Sequence, residues 1–356
     1  MKATFPHLGY DTLALKNFLE NLGAQVISPP PLTKRTISLG TKYSPELICL
    51  PFKITLGNFI ESLELGADTL FMAAGARKCR FGYYHYLQED ILKQLGNGFK
   101  FYAISQYTPL EFIFQKMPEI FSISPRQVIH SMYLLIYHSK LIEEFRNLLR
   151  KARILDYQKT TTLEKKALKI ISECKNLAQI RNARKQIKSM FAFTKMLSPN
   201  TIKIGLVGEI YLMLEDFANF EIEKELSKMG VLPLSKRSLY RHLKHLLHFD
   251  WQWLKYSYLA YRYLKDSPGG EALNTVGEAR AFIKQGVSGI IHIFPFTCMP
   301  ENIALEALQK MSEDYSVPIL SLSFDEHTSK TGLLTRIEAF VDLLKHQSGL
   351  TKSKRK

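Results

Sequence analysis

The sequence predicts an α/β protein with two flavodoxin- or Rossmann-like, doubly wound parallel-sheet domains and a helical insertion between them. Short apolar runs alternate with helix-like segments in the first and last parts of the chain, which is typical of parallel sheets. Residues 99–204 contain no glycine and carry apolar residues at helical spacing. We therefore expect an N-terminal α/β domain at 1–105, a basic helical region at 106–200, a C-terminal α/β domain at 201–346 and a basic, disordered tail at 347–356.

The elements of the N-terminal domain follow from its apolar runs and glycines. Gly23 and Gly66 each end a helix-like segment, and the prolines at 29–31 stop a short strand-like run. The segment Thr33–Pro45 is polar, and we expect it to be irregular. The predicted strands are Ala3–Phe5, Ala24–Ser28, Leu47–Leu50, Thr69–Ala74 and Phe99–Ile104, and the predicted helices are Leu13–Leu22, Asn58–Leu65 and Tyr84–Leu95.

The remaining elements are assigned in the same way. Two long segments with helical spacing, Ser124–Arg150 and Leu163–Met190, make up the basic region. In the C-terminal domain the predicted strands are Thr201–Val207, Val231–Leu232, Gly289–Phe296 and Pro318–Phe324, and the predicted helices are Leu214–Lys228, Ser235–Lys265, Glu271–Lys284, Glu301–Met311 and Thr331–His346.

Composition indicates a globular chain of more than one domain, since 46% of the 356 residues are apolar. No apolar run is long enough to predict a membrane span, and the N-terminus does not resemble a secretory signal. We expect a cytoplasmic protein without a membrane partner. Four cysteines in such a chain predict thiols, metal ligands or core residues rather than a disulfide framework.

The net charge of +15 is unevenly distributed. The segment Lys140–Lys203 contains 16 Lys and Arg against 5 Asp and Glu. Such a segment can attract nucleic acid, a phosphate-bearing cofactor or an acidic partner protein. The alternative is a solvated helix face, which the pattern favours equally.

Three of the four cysteines lie at the ends of predicted buried strands. Cys49 lies where the run Leu47–Leu50 ends. Cys79 follows the predicted strand Thr69–Ala74, and Cys298 follows the predicted strand Gly289–Phe296. Ligands of parallel sheets bind at the carboxyl ends of the strands, so we expect these three thiols to form one metal centre. Thiolates favour an iron–sulfur cluster or zinc, and three thiolates would leave one iron of a four-iron cluster open. The alternative is three thiols packed as small apolar side chains.

Other polar residues also follow predicted strands. Lys53 and Arg80 would place positive charge beside Cys49 and Cys79, where it could stabilise an anionic cluster or bind a cofactor phosphate. Capping or ion-pairing roles are the alternative for each residue and the more common one. The remaining polar residues at strand ends are His7, Glu209, Asp325, Glu326 and His327. Any of them could act as an acid or a base or could hold a ligand in place, and Glu209, Asp325 and His327 are the catalytic candidates.

Two further patterns each allow a simpler explanation. Cys174 lies on an apolar helical stripe with Ala167 and Ile171, which predicts a core residue. The segment Tyr240–Tyr263 interleaves aromatic and basic residues as nucleic-acid surfaces do, but its helical spacing favours an amphipathic core helix. No phosphate-binding P-loop and no convincing dinucleotide-binding glycine motif is present.

Several motifs resemble those of the 2-hydroxyacyl-CoA dehydratase superfamily, in particular its branch of activase-related, CoA-protein-activase-like proteins. The resemblance covers both α/β parts and leaves the basic region unmatched. The motifs are Cys49-Leu50-Pro51-Phe52-Lys53 with Gly57-Asn58, Gly66-Ala67-Asp68, Cys79-Arg80-Phe81-Gly82-Tyr83-Tyr84, Gly205 to Tyr211, Pro295 to Glu301, Asp325-Glu326-His327 and Thr335 to Phe340.

The resemblance implies a [4Fe-4S] cluster held by Cys49, Cys79 and Cys298 in a cleft between flavodoxin-like domains. It also implies low-potential electron transfer from a separate ATP-dependent activator protein, and a CoA thioester as the bound substrate. The true dehydratases use two different subunits, so either a homodimer or a heterodimer is compatible with this chain. The alternatives are a non-catalytic electron-transfer partner that docks through Lys140–Lys203, and a zinc- or nucleic-acid-binding module, of which nucleic acid is the less favoured.

Overall fold

The computed structural model describes residues 1–73, 79–96, 98–104, 108–247, 251–347 and 349. Within these ranges, eight strands form two separate sheets of four strands each, and every strand pair is parallel. The strands are β1 Lys2–Thr4, β2 Gln25–Val26, β3 Thr69–Met72, β4 Lys100–Ala103, β5 Lys203–Gly208, β6 Leu232–Ser235, β7 Gly289–Pro295 and β8 Ile319–Phe324.

Helices make up most of the rest of the described chain. Three short 3₁₀ helices (Gly9–Asp11, Arg80–Tyr83, Ala192–Met196) and one π-helical turn (Phe112–Lys116) accompany them. The α-helices are α1 Thr12–Asn21, α2 Lys34–Tyr43, α3 Leu50–Glu64, α4 Tyr84–Gln94, α5 Pro109–Glu111, α6 Met117–Phe121, α7 Pro125–Leu155, α8 Tyr157–Ser172, α9 Leu177–Met190, α10 Ile210–Leu214, α11 Ile222–Lys228, α12 Leu239–Leu246, α13 Trp251–Ala260, α14 Ala272–Lys284, α15 Met299–Tyr315 and α16 Lys330–Gln347.

Both sheets have the same strand order, and the predicted α/β fold with two parallel sheets is confirmed. The order is β2-β1-β3-β4 in the first sheet and β6-β5-β7-β8 in the second. The chain first adds a strand on one side and then returns to the other, which is the doubly wound pattern of flavodoxin-like sheets. Ligands of such sheets bind beyond the carboxyl ends of the two strands at the reversal, here β1 and β3 or β5 and β7.

The region around Cys49 differs from the prediction. The predicted strand Leu47–Leu50 is wrong, because Leu47 has a positive φ of 57° and Leu50 already begins α3. The predicted irregular segment Thr33–Pro45 is also wrong, since it contains α2, whose Thr33 forms a capping box with Thr36. The predicted helix Asn58–Leu65 is the second half of α3. Residues 50–62 of α3 are all buried, so the helix shows no amphipathic period by which the sequence would reveal it.

Three other predicted helices differ from the observed ones. Leu163–Met190 is interrupted after α8, and Asn176 caps the start of α9 with its side chain. In Leu214–Lys228 the helix is the shorter α11, since Leu214 is the last residue of α10. Both α12 and α13 lie within Ser235–Lys265, of which residues 248–250 are outside the described ranges. Ala74 and most of the predicted disordered tail at 347–356 lie outside the described residues.

Helices cover both faces of each sheet. One face of the first sheet packs against α1 and against α7, α8 and α9, so the basic helices share a core with Ala3, Phe5 and Phe71. The other face packs against α3 and α4. The second sheet packs against α14 and α15 on one face and against α10, α11 and α16 on the other.

Helix α3 connects the two sheets through their cores. Its Phe52 and Phe59 belong to the core beneath the first sheet, whereas Leu50 and Ile54 belong to the core of the second sheet. The residues at the start of α3 are therefore fixed relative to both sheets. In the described part of the chain, no helix has the length and apolar character needed to cross a membrane.

Candidate functional site

Cys49, Cys79 and Cys298 line one cavity of about 260 Å³. The other described residues that line it are Arg80, Tyr83, Met299 and Pro300. Two of the thiols come from the first α/β part of the chain and the third comes from the second. The structure thus brings together the three cysteines that sequence analysis grouped.

Each of the three cysteines occupies the position just before a helix begins. Cys49 precedes α3, Cys298 precedes α15, and Cys79 precedes the 3₁₀ helix Arg80–Tyr83. A proline in the first turn of α3 and of α15 starts these two helices immediately after the cysteine. The amino ends of helices carry partial positive charge, which stabilises thiolates and other anions.

Each thiol also has a polar neighbour that favours its charged form. The Tyr84 hydroxyl lies 2.5 Å from Cys49 Sγ. The backbone N–H of Phe81 acts to lower the pKa of the Cys79 thiol, and that of Glu301 acts in the same way on Cys298. Such donors stabilise a negatively charged sulfur and set the electron affinity of any metal bound to it.

Burial has the opposite effect on the pKa values of the thiols. It raises the pKa of the Cys49 thiol to about 11, although the Tyr84 hydroxyl acts in the opposite direction. Burial also raises the pKa of Cys79 and, more strongly, that of Cys298. A positively charged group in the cavity would offset this cost, and metal ions do so when they bind thiolates.

Glu209, a predicted catalytic residue, lies close enough to all three cysteines to raise their pKa values. It follows β5, where Gly208 has a φ of 140° and a Cβ would lie 1.9 Å from the carbonyl oxygen of Ile293. The Glu209 carboxylate accepts hydrogen bonds from the backbone N–H groups of Tyr211 (3.0 Å) and Leu212 (2.9 Å). Burial nevertheless raises its pKa to about 7. Glu209 can therefore hold or release a proton near neutral pH.

Glu301 and His292 are two site residues that sequence analysis missed. The Glu301 carboxylate raises the pKa of Cys298, accepts a hydrogen bond from the Thr275 hydroxyl (3.1 Å) and lies 2.9 Å from His292 Nε2. The signal in the sequence was a single histidine within the otherwise apolar β7, and a glutamate three residues after Cys298. The Arg237 guanidinium extends this buried network by donating to Thr275 (3.0 Å).

The two predicted cofactor-binding residues occupy different places. Arg80 lines the cavity and donates to the carbonyl oxygen of Leu47 (3.1 Å), so its charge lies beside the thiols. Lys53 is buried and forms an ion pair with Glu326. That ion pair connects α3 with the loop after β8, and it leaves Lys53 outside the lining of the cavity.

The remaining predicted residues do not line the cavity. Asp325 accepts hydrogen bonds from the backbone of His327 (3.0 Å) and the hydroxyl of Thr328 (2.8 Å), which is a turn-capping role. The His327 side chain is largely exposed. His7 bonds through Nδ1 to Glu215 at 2.7 Å and lines a separate, more open cavity. Cys174 is buried in the core beside Ala167 and Ile171, as its stripe predicted.

The donor set fits a cluster that spreads over a cavity. Among the described residues, no group of three or more His, Cys, Asp or Glu side chains is arranged to hold a single metal ion. The thiols of Cys49, Cys79 and Cys298 instead line one cavity, and each lies just before its own helix. Thiolates are the ligands of iron–sulfur clusters, so the chemistry of these three side chains is compatible with such a group.

Comparison with known proteins gave no relative on which to base an assignment. The chain matches no protein-family model, and a search of curated proteins found no match to it.

Proposed function

We propose that this chain is an iron–sulfur protein that binds a [4Fe-4S] cluster through Cys49, Cys79 and Cys298. The observation that carries the proposal is that three cysteines from distant parts of the sequence line one cavity. The resemblance to the 2-hydroxyacyl-CoA dehydratase superfamily adds the expected chemistry. It favours low-potential one-electron chemistry on a bound substrate such as an acyl-CoA thioester, with electrons from an ATP-dependent activator protein.

The residues of the chain have separable roles in this proposal. The three thiolates hold three irons, and the cluster would supply one-electron chemistry at the iron that no cysteine binds. Arg80 offsets the negative charge of the thiolates. Glu209 holds or releases a proton beside the cavity.

The first test is anaerobic purification with assays of iron, sulfide and zinc on the same sample. We expect a broad absorption band near ~400 nm and about four irons and four sulfides per chain, as for cubane clusters. Replacing Cys49, Cys79 or Cys298 by Ala should abolish cluster retention. Cys174→Ala is the matched control, because Cys174 lies in the core away from the cavity, and it should keep the cluster. A full complement of iron in all three site variants, or stoichiometric zinc without iron, would refute the proposal.

A non-catalytic electron carrier is the second candidate, and the size of the cavity favours it. Pockets that bind ligands of drug size span about 300–1,000 Å³, whereas the described residues enclose about 260 Å³. A carrier would exchange electrons with a partner protein and would not turn over acyl-CoA thioesters. Salt-sensitive association through the exposed lysines of α8 and α9, with no turnover of any acyl-CoA tested, would distinguish it from the enzyme.

A further inference from the structure

Helix α13 and the residue that follows it present four large apolar side chains to solvent along one face. Trp251, Leu254, Tyr258 and Tyr261 are spaced at i, i+3, i+7 and i+10, so they form a single line along the helix, here called the outer stripe. Their exposed fractions are 83%, 53%, 78% and 62%. The amide of Tyr261 donates to the carbonyl oxygen of Ser257 at 3.0 Å, which continues the helical geometry to the end of the stripe.

The outer stripe is not needed for packing within the chain. The opposite face of α13 carries Tyr256, Leu259 and Ala260, which are buried. That face contacts α14 so closely that a Cβ on Gly277 would lie 2.4 Å from the carbonyl oxygen of Tyr256. Helix α13 therefore has two apolar faces, of which α14 covers one. Contiguous exposed apolar residues of this size are typical of interaction sites.

The sequence beside the outer stripe carries more basic than acidic residues, with Lys255, Arg262 and Lys265 against Asp250 and Asp266. Lys255 and Arg262 lie one position after Leu254 and Tyr261, and Lys265 follows four residues after Tyr261. Neither Lys255 nor Lys265 has an ion-pair partner in the described ranges, and Arg262 bonds to Asp314 at 3.2 Å while its side chain stays largely exposed. A second copy of this chain would place these like charges against each other, which disfavours a symmetric α13–α13 contact.

We propose that the outer stripe is the docking site for an acidic amphipathic helix of a partner protein. The spacing of the stripe is that of the a and d positions of a coiled-coil seam, so a helix with the same apolar spacing would pack against it. Acidic residues flanking that seam would pair with Lys255 and Lys265. The inference stands apart from the cluster, because α13 contributes no residue to the lining of the cavity.

The chain carries its own reporter for this contact. Its two tryptophans, Trp251 and Trp253, both lie on α13, so intrinsic fluorescence of the full-length protein reports on this helix alone. The probe is a synthetic three-heptad peptide without tryptophan, with Leu at a and d and Glu at e and g. The matched control peptide carries Lys at e and g.

We expect the acidic peptide to shift tryptophan emission to the blue in a saturable way at low salt. Binding should be at least tenfold weaker for the Lys peptide and should weaken as salt is added. Leu254→Ala should reduce the affinity for the acidic peptide about tenfold or more. Leu343→Ala, which truncates an exposed leucine of α16, should leave it unchanged.

Several results would overturn the proposal. Absence of binding by the acidic peptide, equal binding of the two peptides, or an equal effect of the two leucine substitutions would each do so. Saturable fluorescence changes on adding phosphatidylserine vesicles or a single-stranded oligothymidine, without a response to the peptide, would assign the stripe to a membrane or a nucleic acid instead. A dimer in analytical ultracentrifugation that Leu254→Ala dissociates would assign it to a second copy.

Discussion

Tyr84 places a hydroxyl group 2.5 Å from Cys49 Sγ, at a point where it can influence a metal bound to that sulfur. Its ring packs edge-on against Phe52 and Phe81, with centroids 5.0 and 5.2 Å away, which fixes the direction of the hydroxyl. Tyr83, the next residue, also lines the cavity but is half exposed. The two tyrosines therefore form a matched pair for testing this hydrogen bond.

We expect Tyr84→Phe to make the proposed cluster harder to reduce. Loss of one hydrogen bond worth about 1 kcal/mol corresponds to a midpoint potential lower by roughly 50 mV for a one-electron couple. Anaerobic redox titration of the reconstituted protein measures the shift. Tyr83→Phe should keep the potential of the unmodified protein, and equal potentials in the two variants would contradict the assigned role of Tyr84.

Asp11 is a buried carboxylic acid whose two oxygens have no hydrogen-bond partner in the described part of the chain. Burial raises its pKa to about 7, with Arg146 lowering it and Glu143 raising it. The folded state therefore holds the proton more tightly than the unfolded chain, where the pKa is about 3.9. Stability should fall as the pH rises from about 4 through about 7, because ionised Asp11 is costly only in the folded protein.

Asp11→Asn should remove this pH dependence. Relative to the unmodified protein, the variant should gain at least about 1 kcal/mol of unfolding free energy on going from pH 5 to pH 8. Urea unfolding at the two pH values measures it. Asp68→Asn is the control: hydrogen bonding to the Thr69 hydroxyl lowers the pKa of Asp68, so this substitution should show no such gain. An identical pH dependence in Asp11→Asn and the unmodified protein would contradict the prediction.

At the scale of residues, the sequence predicted which thiols meet but not what surrounds them. The grouping of Cys49, Cys79 and Cys298 followed from their positions at the ends of predicted strands. The three side chains line one cavity even though the strand assigned before Cys49 was wrong, because Cys49 still lies at the end of a loop. Glu301 and His292 were missed because their partners are distant in sequence and only the packing of β7 against α15 brings them together.

At the scale of elements, the contact between α2 and α3 depends on two glycines. A Cβ on Gly40 would lie 1.7 Å from the carbonyl oxygen of Lys53, and a Cβ on Gly57 would lie 1.9 Å from that of Thr36. The two helices therefore cross with their backbones in contact. Since Cys49 lies in the connection between them, their separation sets the position of the first thiol.

Gly57→Ala should destabilise the protein by about 1–3 kcal/mol, because the added methyl group must push the two backbones apart. Gly332→Ala is the matched control, since Gly332 is also helical but has no atom within 4 Å of the added Cβ. That substitution should stabilise the fold by up to about 1 kcal/mol through its higher helix propensity. Chemical denaturation measures the change in unfolding free energy of both variants. Equal changes in the two variants would contradict this account of the helix crossing.

The elements themselves were predictable where their apolar spacing was visible. α1, α7 and the strands of the second sheet lie close to their predicted positions. α2 and the first half of α3 were not predicted, because α3 is buried all round and its apolar residues show no helical period. Tertiary packing against both sheets, rather than local spacing, makes this segment a helix.

At the scale of the whole molecule, buried ion pairs join the basic helices to the second sheet. Arg150 forms two hydrogen bonds to Glu223 on α11, at 2.7 and 3.0 Å, and Arg146 lies 3.5 Å from the same carboxylate. These contacts lower the pKa of Glu223 to about 2. Part of the positive charge counted in the basic region is thus neutralised within the chain and is not available to a partner.

Glu223→Gln should cost about 3–5 kcal/mol at pH 7, because it leaves the buried Arg150 guanidinium without its counter-charge and Arg146 with only Asp216 as an ion-pair partner. The stabilisation from the Glu223 carboxylate is present above its unfolded pKa of about 4.3 and is lost as the pH falls toward about 2. The difference between variant and unmodified protein should therefore shrink in acid. Thermal unfolding at pH 7 and pH 3 tests this. Glu144→Gln, which affects a more exposed pair with Arg184, should cost less than about 1 kcal/mol at either pH.

The shared strand order of the two sheets extends to the sequence around the site. Thr55-Leu56-Gly57 in α3 aligns with Thr275-Val276-Gly277 in α14, and without a gap Gly66 then aligns with Gly286. Each threonine hydroxyl bonds to a polar side chain of the helix after the next strand, either Gln88 (2.8 Å) or Glu301 (3.1 Å).

The two halves therefore share a strand order and a local helix contact, and a single chain supplies both walls of the cavity. The first half carries Cys49 at the start of α3, whereas the second carries Gly269 and Gly270 before α14, with a Cβ on Gly270 lying 3.8 Å from Cys79 Sγ. The two walls of the cavity therefore differ in composition, with two thiols from the first half of the chain and one from the second.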